Sequence, residues 1–220
     1  MRRFIAGLAY ACLAAVTACF ALSASAEVDP QTIRDLAFGE SEAKIKAIGT
    51  LGASADADAL RLLQAFLDGE VQTVGEDQVL VVQGETATDL LTGKGMAALP
   101  DNRDDIVLNN RVRKQLATAI AALKLSAPDR TPRLAAAKQL QDSADEDSLP
   151  AIERALAKET DTEIKESLSL TRAAIQLASK DRATRLAAIR ALAESSNPTT
   201  RTLLLGVLEQ KDGTYVEADA

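Results

Sequence analysis

The octapeptide Arg133-Leu-Ala-Ala-Ala-Lys-Gln-Leu140 recurs 52 residues later as Arg185-Leu-Ala-Ala-Ile-Arg-Ala-Leu192, and a fainter copy stands at Lys44-Ile-Lys-Ala-Ile-Gly-Thr-Leu51. Each copy closes on a serine three residues on (Ser54, Ser143 and Ser195). A short polar break and another apolar helical pattern follow. Self-similarity at a fixed spacing is the mark of stacked helical units, none of which buries its apolar face alone. The fold expected is therefore mainly α, a HEAT-like α-solenoid with three helices in each cycle.

The segments between the copies fill in this plan. Residues 27–69 read as an N-terminal helical hairpin with a leading helix. Ile33, Leu36 and Ala37 precede a cap at Gly39. Ile45, Ile48 and Leu51 share one face of a helix from Ser41. Leu60, Leu63 and Leu67 share one face of a helix from Asp56 to Gly69. Residues 70–104 break the helical period. Val71-Gln-Thr-Val74 and Val79-Leu-Val-Val-Gln83, separated by Gly75-Glu-Asp-Gln78, predict a β-hairpin with a four-residue loop. The Gly-rich remainder up to Pro100 is an irregular insertion with room for another short strand. It is either a binding feature or a cover over the first helix pair. Residues 105–210 return to helical repeats, beginning near Asp104 or Asp105 with Val112, Leu116, Ile120 and Leu123 in line. Residues 211–220 read as a polar tail or linker.

The chain opens with Met1-Arg2-Arg3, an apolar run from Phe4 to Leu22, and Ala24-Ser25-Ala26. This order predicts a signal peptide over residues 1–26, cleaved after Ala26. Val16-Thr17-Ala18-Cys19 also resembles a lipobox that would lipidate Cys19, and the 19-residue apolar run is long enough for an uncleaved anchor. Both cysteines, Cys12 and Cys19, fall in this segment, so the mature chain would have no disulfide, thiolate or Cys-bound metal. With no histidine anywhere, His bases, Ser-His-Asp triads and His metal ligands are excluded. Without Arg2 and Arg3 the chain keeps 23 basic residues against 32 acidic, net −9. That balance disfavours nucleic acid and anionic lipid as partners. Phe38, Phe66 and Tyr215 are the aromatics left, too few for base-stacking.

Several clusters invite a functional reading. Asn109-Asn110-Arg111-Val-Arg113-Lys114 is the densest basic run. It is either a contact surface for an acidic partner or phosphate, or a solvated helix face. Arg133 and Arg185 hold equivalent places in two motif copies, where pairing with acids of a neighbouring turn is expected. Asp145-Glu-Asp147 has the carboxylates for a divalent cation but lacks a calcium loop's glycine and distal Glu, which favours helix capping. Gly93-Lys-Gly95 lacks the spacing and Ser/Thr of a P-loop. No arrangement brings together an acid–base pair or a nucleophile and its base, so no catalytic residue, cofactor or metal is expected.

The order of features carries a resemblance. Leu91-Thr-Gly93, Leu99-Pro100, Asn109-Asn-Arg111-Val-Arg113, Arg133-Leu-Ala-Ala and Leu156-Ala-Lys-Glu-Thr-Asp161 follow one another behind a signal segment. This resembles the extracytoplasmic N-terminal extension of bacterial urea ABC transporter permeases, relatives of the branched-chain amino acid permeases. The resemblance implies residence on the periplasmic side of the inner membrane and an association with urea uptake. The leading expectation is an interaction module that contacts a protein partner, a transporter subunit or a periplasmic binding protein, and the basic run supplies the candidate contact residues Asn109, Asn110, Arg111, Arg113 and Lys114. In that family a membrane-spanning permease domain follows, whereas this sequence stops at Ala220. The expectation is an excised or truncated permease domain or a free-standing relative, its membrane association depending on the missing domain or on an uncleaved or lipidated N-terminus. The alternative is a generic periplasmic HEAT-repeat scaffold unrelated to urea.

Overall fold

Helix boundaries follow local capping chemistry. Asp29 accepts hydrogen bonds from the Gln31 and Thr32 amides (3.4 and 3.3 Å), and Pro30 opens α1 (Pro30–Phe38) at the position where a missing N–H costs nothing. The computed structural model describes residues 28–54, 56–194, 197–208, 210–211 and 214–215. The expected signal segment, with Cys12 and Cys19, lies outside the described residues, as does Ser195. α1 buries Ile33, Leu36 and Ala37, as its spacing predicts. Gly39 caps it in extended backbone, and a Cβ there would run into the carbonyl oxygen of Asp35.

α2 (Ser41–Ser54) and α3 (Ala57–Asp68) follow. Asp56 caps α3 by accepting from the Asp58 amide (3.0 Å), and Gly69 ends it at φ +77°, a conformation that a Cβ disfavours. The buried stripes are rotated from those expected. Ala47, Ile48 and Leu51 line α2, and Ala59, Leu62, Leu63 and Phe66 line α3, while Ile45, Leu60 and Leu67 sit on the margins. Both helices face two neighbours, so the widest apolar arc goes inward, not the narrow leucine line.

The insertion is a five-stranded antiparallel sheet in which Gly95–Met96 (β4), Thr86–Asp89 (β3), Gln78–Gln83 (β2), Val71–Val74 (β1) and Asp104–Asp105 (β5) lie side by side in that order. β1 (Val71–Val74) and β2 (Gln78–Gln83) form the expected hairpin, but its loop has three residues, turning at Gly75 with φ +58°. β3 (Thr86–Asp89) adds to β2, and the short β4 (Gly95–Met96) adds to β3. The fifth strand overturns the expected start of the next helix. Asp104 and Asp105 form β5, pairing with Thr73 and Gln72 of β1, and α4 (Asn110–Lys124) begins only after Asn109. Asn109 fixes that start because its Oδ1 accepts the Val112 amide (2.9 Å). Leu91-Thr92-Gly93 is the turn after β3. The buried Asp89 carboxylate takes the Leu91 amide (2.9 Å) and Thr92 hydroxyl (2.7 Å), and Gly93 sits at φ +68°.

Beyond α4 come α5 (Arg130–Ser143), a 3-10 turn (Glu146–Ser148), α6 (Leu149–Lys158), α7 (Thr162–Leu177), α8 (Arg182–Ala193) and α9 (Pro198–Val207). Three residues of the expected polar tail, Lys211, Thr214 and Tyr215, join Gln210 in a small antiparallel pair, β6 (Gln210–Lys211) with β7 (Thr214–Tyr215). The chain is thus mainly helical with a small antiparallel sheet set into it.

The apolar side chains gather in three successive clusters. The first joins α1–α4 to the sheet through Leu36, Ile48, Leu63, Val79 and Leu116. The second joins α4, α5, α6 and α7 through Leu140, Ile152, Ile164 and Leu168, all fully buried. The third joins α7, α8 and α9 around Leu170, Ala173 and Leu192. Leu140 and Leu192, the closing leucines of the two strong motif copies, are buried, and Leu134 and Leu186 are half-buried. α4 turns Leu116 and Ile120 toward the first cluster and Ala121 toward the second. α7 likewise turns Leu168 toward the second and Leu170 toward the third.

Candidate interaction surface

The basic run at the start of α4 is partly consumed in holding the fold together. Asn109 caps α4 with its oxygen and, through Nδ2, donates to Ser41 Oγ (2.7 Å) at the head of α2. Arg111 pairs with Glu42 in the first turn of α2. Arg113 donates from Nε to the Leu108 carbonyl (3.2 Å). Asn110, Arg111, Arg113 and Lys114 are all exposed. The part of the run able to meet a partner is therefore Asn110, Arg113 and Lys114, on a helix end fixed by the other two.

The 52-residue shift turns this joint into a repeated one. Asn109 maps onto Asp161, Arg111 onto Glu163, and Ser41 onto Arg130 through the motif alignment. Asp161 caps α7 by accepting the Ile164 amide (3.1 Å) and also accepts from Arg130 Nε (2.7 Å) at the head of α5. Glu163 pairs with Arg130 (2.6 Å) and Lys138 (3.1 Å). In both cycles the third helix locks its first turn onto the head of the motif helix, with the polarity of the ion pair reversed. Hydrogen bonding from Arg130 holds the Asp161 and Glu163 carboxyls below their ordinary values.

A second repeated device lies at the first residue of the motif. Arg133 donates to the carbonyls of Ala127 (3.2 Å) and Pro128 (2.7 Å), and Arg185 to those of Ser179 and Lys180 (3.0 Å each). Lys44, in the faint copy, places a buried Nζ on the carbonyls of Leu36 (2.6 Å) and Ala37 (2.8 Å). Each cation thus satisfies acceptors just upstream: the end of α1 for Lys44, and the turns after α4 and α7 for the arginines. Arg133 also makes the acidic contact expected of it, with the buried Glu159 (2.8 Å), whose carboxylate takes the Thr160 and Asp161 amides as well. The Arg133 guanidinium holds the Glu159 carboxyl below the usual range. Burial lowers the Lys44 ammonium, against a smaller opposing effect from Glu40.

Asp145 serves the 3-10 turn. It exchanges hydrogen bonds with Ser148 (3.1 and 3.4 Å), and its other oxygen accepts from Gln115 of α4 (3.2 Å). An open groove of about 960 Å³ runs between α3 and the sheet. It is floored by Ile33, Leu60, Val81 and Leu90, with Asp68 and Lys124 on its rim. Apart from the capping pattern at Asp145 and Asp161 and an acidic partner for Arg133, these contacts were hidden in the sequence, because Glu42 and Arg111 stand 69 residues apart and Asn109 and Ser41 stand 68 apart.

Charge is unevenly distributed. Residues 28–105 carry 15 acidic against six basic residues, whereas residues 106–208 carry 12 against 16. Among the described residues no helix is long and apolar enough to cross a membrane. In comparisons with family models, curated proteins and solved structures, the chain matches none.

Proposed function

We propose that the chain is a non-catalytic interaction module, a HEAT-like α-solenoid on the periplasmic face of the inner membrane. In this reading it accompanies a urea ABC transporter permease and contacts a protein partner, either a transporter subunit or the periplasmic binding protein. The observation that carries the interaction reading is the repeated joint. Asn109–Ser41 and Asp161–Arg130 set successive third helices on their motif helices in the same way, which is how a stack of units presents one continuous face. The exposed Asn110, Arg113 and Lys114 stand on that scaffold, in the basic part of the chain, and suit an acidic patch on a partner. The urea assignment is supported by the sequence resemblance alone.

One observation favours the second reading, a periplasmic scaffold unrelated to urea. The most specific elements of the resemblance, Asn109-Asn-Arg111 and Leu91-Thr-Gly93, serve a helix cap with an ion pair and a turn, respectively. Titration calorimetry of the chain against the urea-binding protein and the transporter subunits separates the two. Saturable binding that weakens on Arg113→Glu with Lys114→Glu is expected of the urea-linked module. No heat with any component would leave the scaffold reading standing.

A further inference from the structure

The third cycle presents the seat for a third helix, and the chain's own residues at that register do something else. Moving 52 residues on from Thr162, where α7 begins, reaches Thr214, which lies in the β7 strand. The neighbouring elements are nonetheless equipped for a covering helix. Ile152 of α6 is fully buried in the second cluster, close to Ile164 and Leu168 of α7. Its equivalent, Leu204 of α9, is only half-buried, and Leu208, equivalent to the half-buried Leu156, is 55% exposed. Ala137 of α5 is fully buried, whereas its equivalent, Ile189 of α8, is half-buried. Leu205 replaces the solvent-facing Glu153 and is 52% exposed. Leu204, Leu205 and Leu208 line a groove of about 270 Å³ with Leu192, Thr200 and Arg201. An exposed apolar patch of this kind marks an interaction site.

We propose that this α8–α9 face takes an amphipathic helix of a partner protein whose first turn is acidic. Two observations fix the chemistry of the occupant. The third helices already in place share one pattern, a cap residue followed by apolar side chains three and seven positions on: Asn109, Val112 and Leu116 in α4, and Asp161, Ile164 and Leu168 in α7. Arg190 of α8 then stands, exposed, where Lys138 stands in α5, a cation that receives Glu163 of α7. A helix beginning Asp-x-Glu-apolar meets both features, whereas one beginning like α4, with arginines, meets like charge.

This inference rests on the interaction-module reading but not on its urea assignment. The test uses a fluorescent peptide spanning residues 160–178, the α7 sequence, titrated with the full-length chain and followed by anisotropy. Saturable binding is expected, weakened by about tenfold or more in the Leu205→Asp, Leu208→Asp double variant, whose substituted side chains are exposed so that folding is spared. Arg190→Glu is expected to weaken it roughly threefold. A peptide carrying Asp161→Lys and Glu163→Lys is expected to bind the wild-type chain poorly and to regain affinity on Arg190→Glu. Absence of saturable binding, or equal affinity for the double-aspartate variant, overturns the proposal. A chain that binds transporter components yet ignores the peptide refutes this docking surface and leaves the interaction module intact. A chain that binds the peptide but no transporter component supports the surface and refutes only the urea link.

Discussion

At the scale of single residues, the charged side chains that matter most are those that finish backbone hydrogen bonding. Lys44, Arg133 and Arg185 occupy one motif position, and each donates to two upstream carbonyls, acceptors that would otherwise lack a partner near a helix end. The two acceptors of Lys44 are buried, and leaving a buried acceptor unmet costs more than a typical hydrogen bond contributes, which explains why a cation is kept there. Glu159 extends the device by tying Arg133 to the turn between α6 and α7. Glu159, Asp161 and Glu163 all have folded pKa values below their ordinary 4.5, 3.8 and 4.5. Their ionised forms are favoured by folding, so the stability they add is present above the ordinary carboxyl range and is lost as pH falls through the folded values. Thermal melts are therefore expected to be level from about pH 7 to about pH 5 and to drop below about pH 4.5. Glu159→Gln is expected to lower Tm at neutral pH by about 4 °C and to flatten the acid limb. A variant with the wild-type acid slope would show that Glu159 is not the group responsible.

At the scale of elements, close approach of α2 and α4 depends on glycine in a helix interior. A Cβ added at Gly52 would stand 3.1 Å from the Ala119 Cβ, tighter than ordinary van der Waals contact, so neither helix has room for a larger residue there. Gly52→Val is expected to destabilise the fold by about 1–3 kcal/mol, read from urea unfolding, although Gly is the poorer helix former. An unchanged midpoint would mean that the two helices separate freely. The same elements show what local sequence conveys. Asp29, Asp56, Asn109, Asp161 and Asp181 cap helices because their short side chains reach a nearby amide, a relation contained within a few residues. The Val-rich hairpin is legible for the same reason. β5 was not, since Asp104 and Asp105 read as a helix start and become a strand only because β1 offers a free edge 31–33 residues earlier. The rotated stripes of α2 and α3 escaped because apolar spacing gives a face only to within one position. Which of several aliphatic residues goes deepest is decided by neighbours from elsewhere in the chain.

At the scale of the whole molecule, the clusters are linked in series, with α4 belonging to the first two and α7 to the last two. Clusters joined in this way are held by the contacts of the elements that form them, and the third shares only α7 with the rest. The third cluster contains three buried apolar residues, none of them completely enclosed, and α9 adds the half-buried Leu203 and Leu204 to it. The second cluster encloses Leu140, Ile152, Ile164 and Leu168 completely. Opening of α8 and α9 therefore exposes far less apolar surface than opening of α5–α7, and it costs correspondingly less. Native-state hydrogen exchange is expected to show α8 and α9 amides exchanging through a partial opening, at a free energy well below that of Ile152, Ile164 and Leu168. Leu168→Ala, by contrast, is expected to destabilise the molecule by about 2–5 kcal/mol, because its cavity opens in the core shared by α5, α6 and α7. Equal protection from α2 through α9 would mean that the chain unfolds as one unit and that its far end needs no partner. Protection that rises selectively in α8 and α9 on adding the α7 peptide would tie the weak end to the docking face, since a ligand stabilises the segment whose folded form it binds.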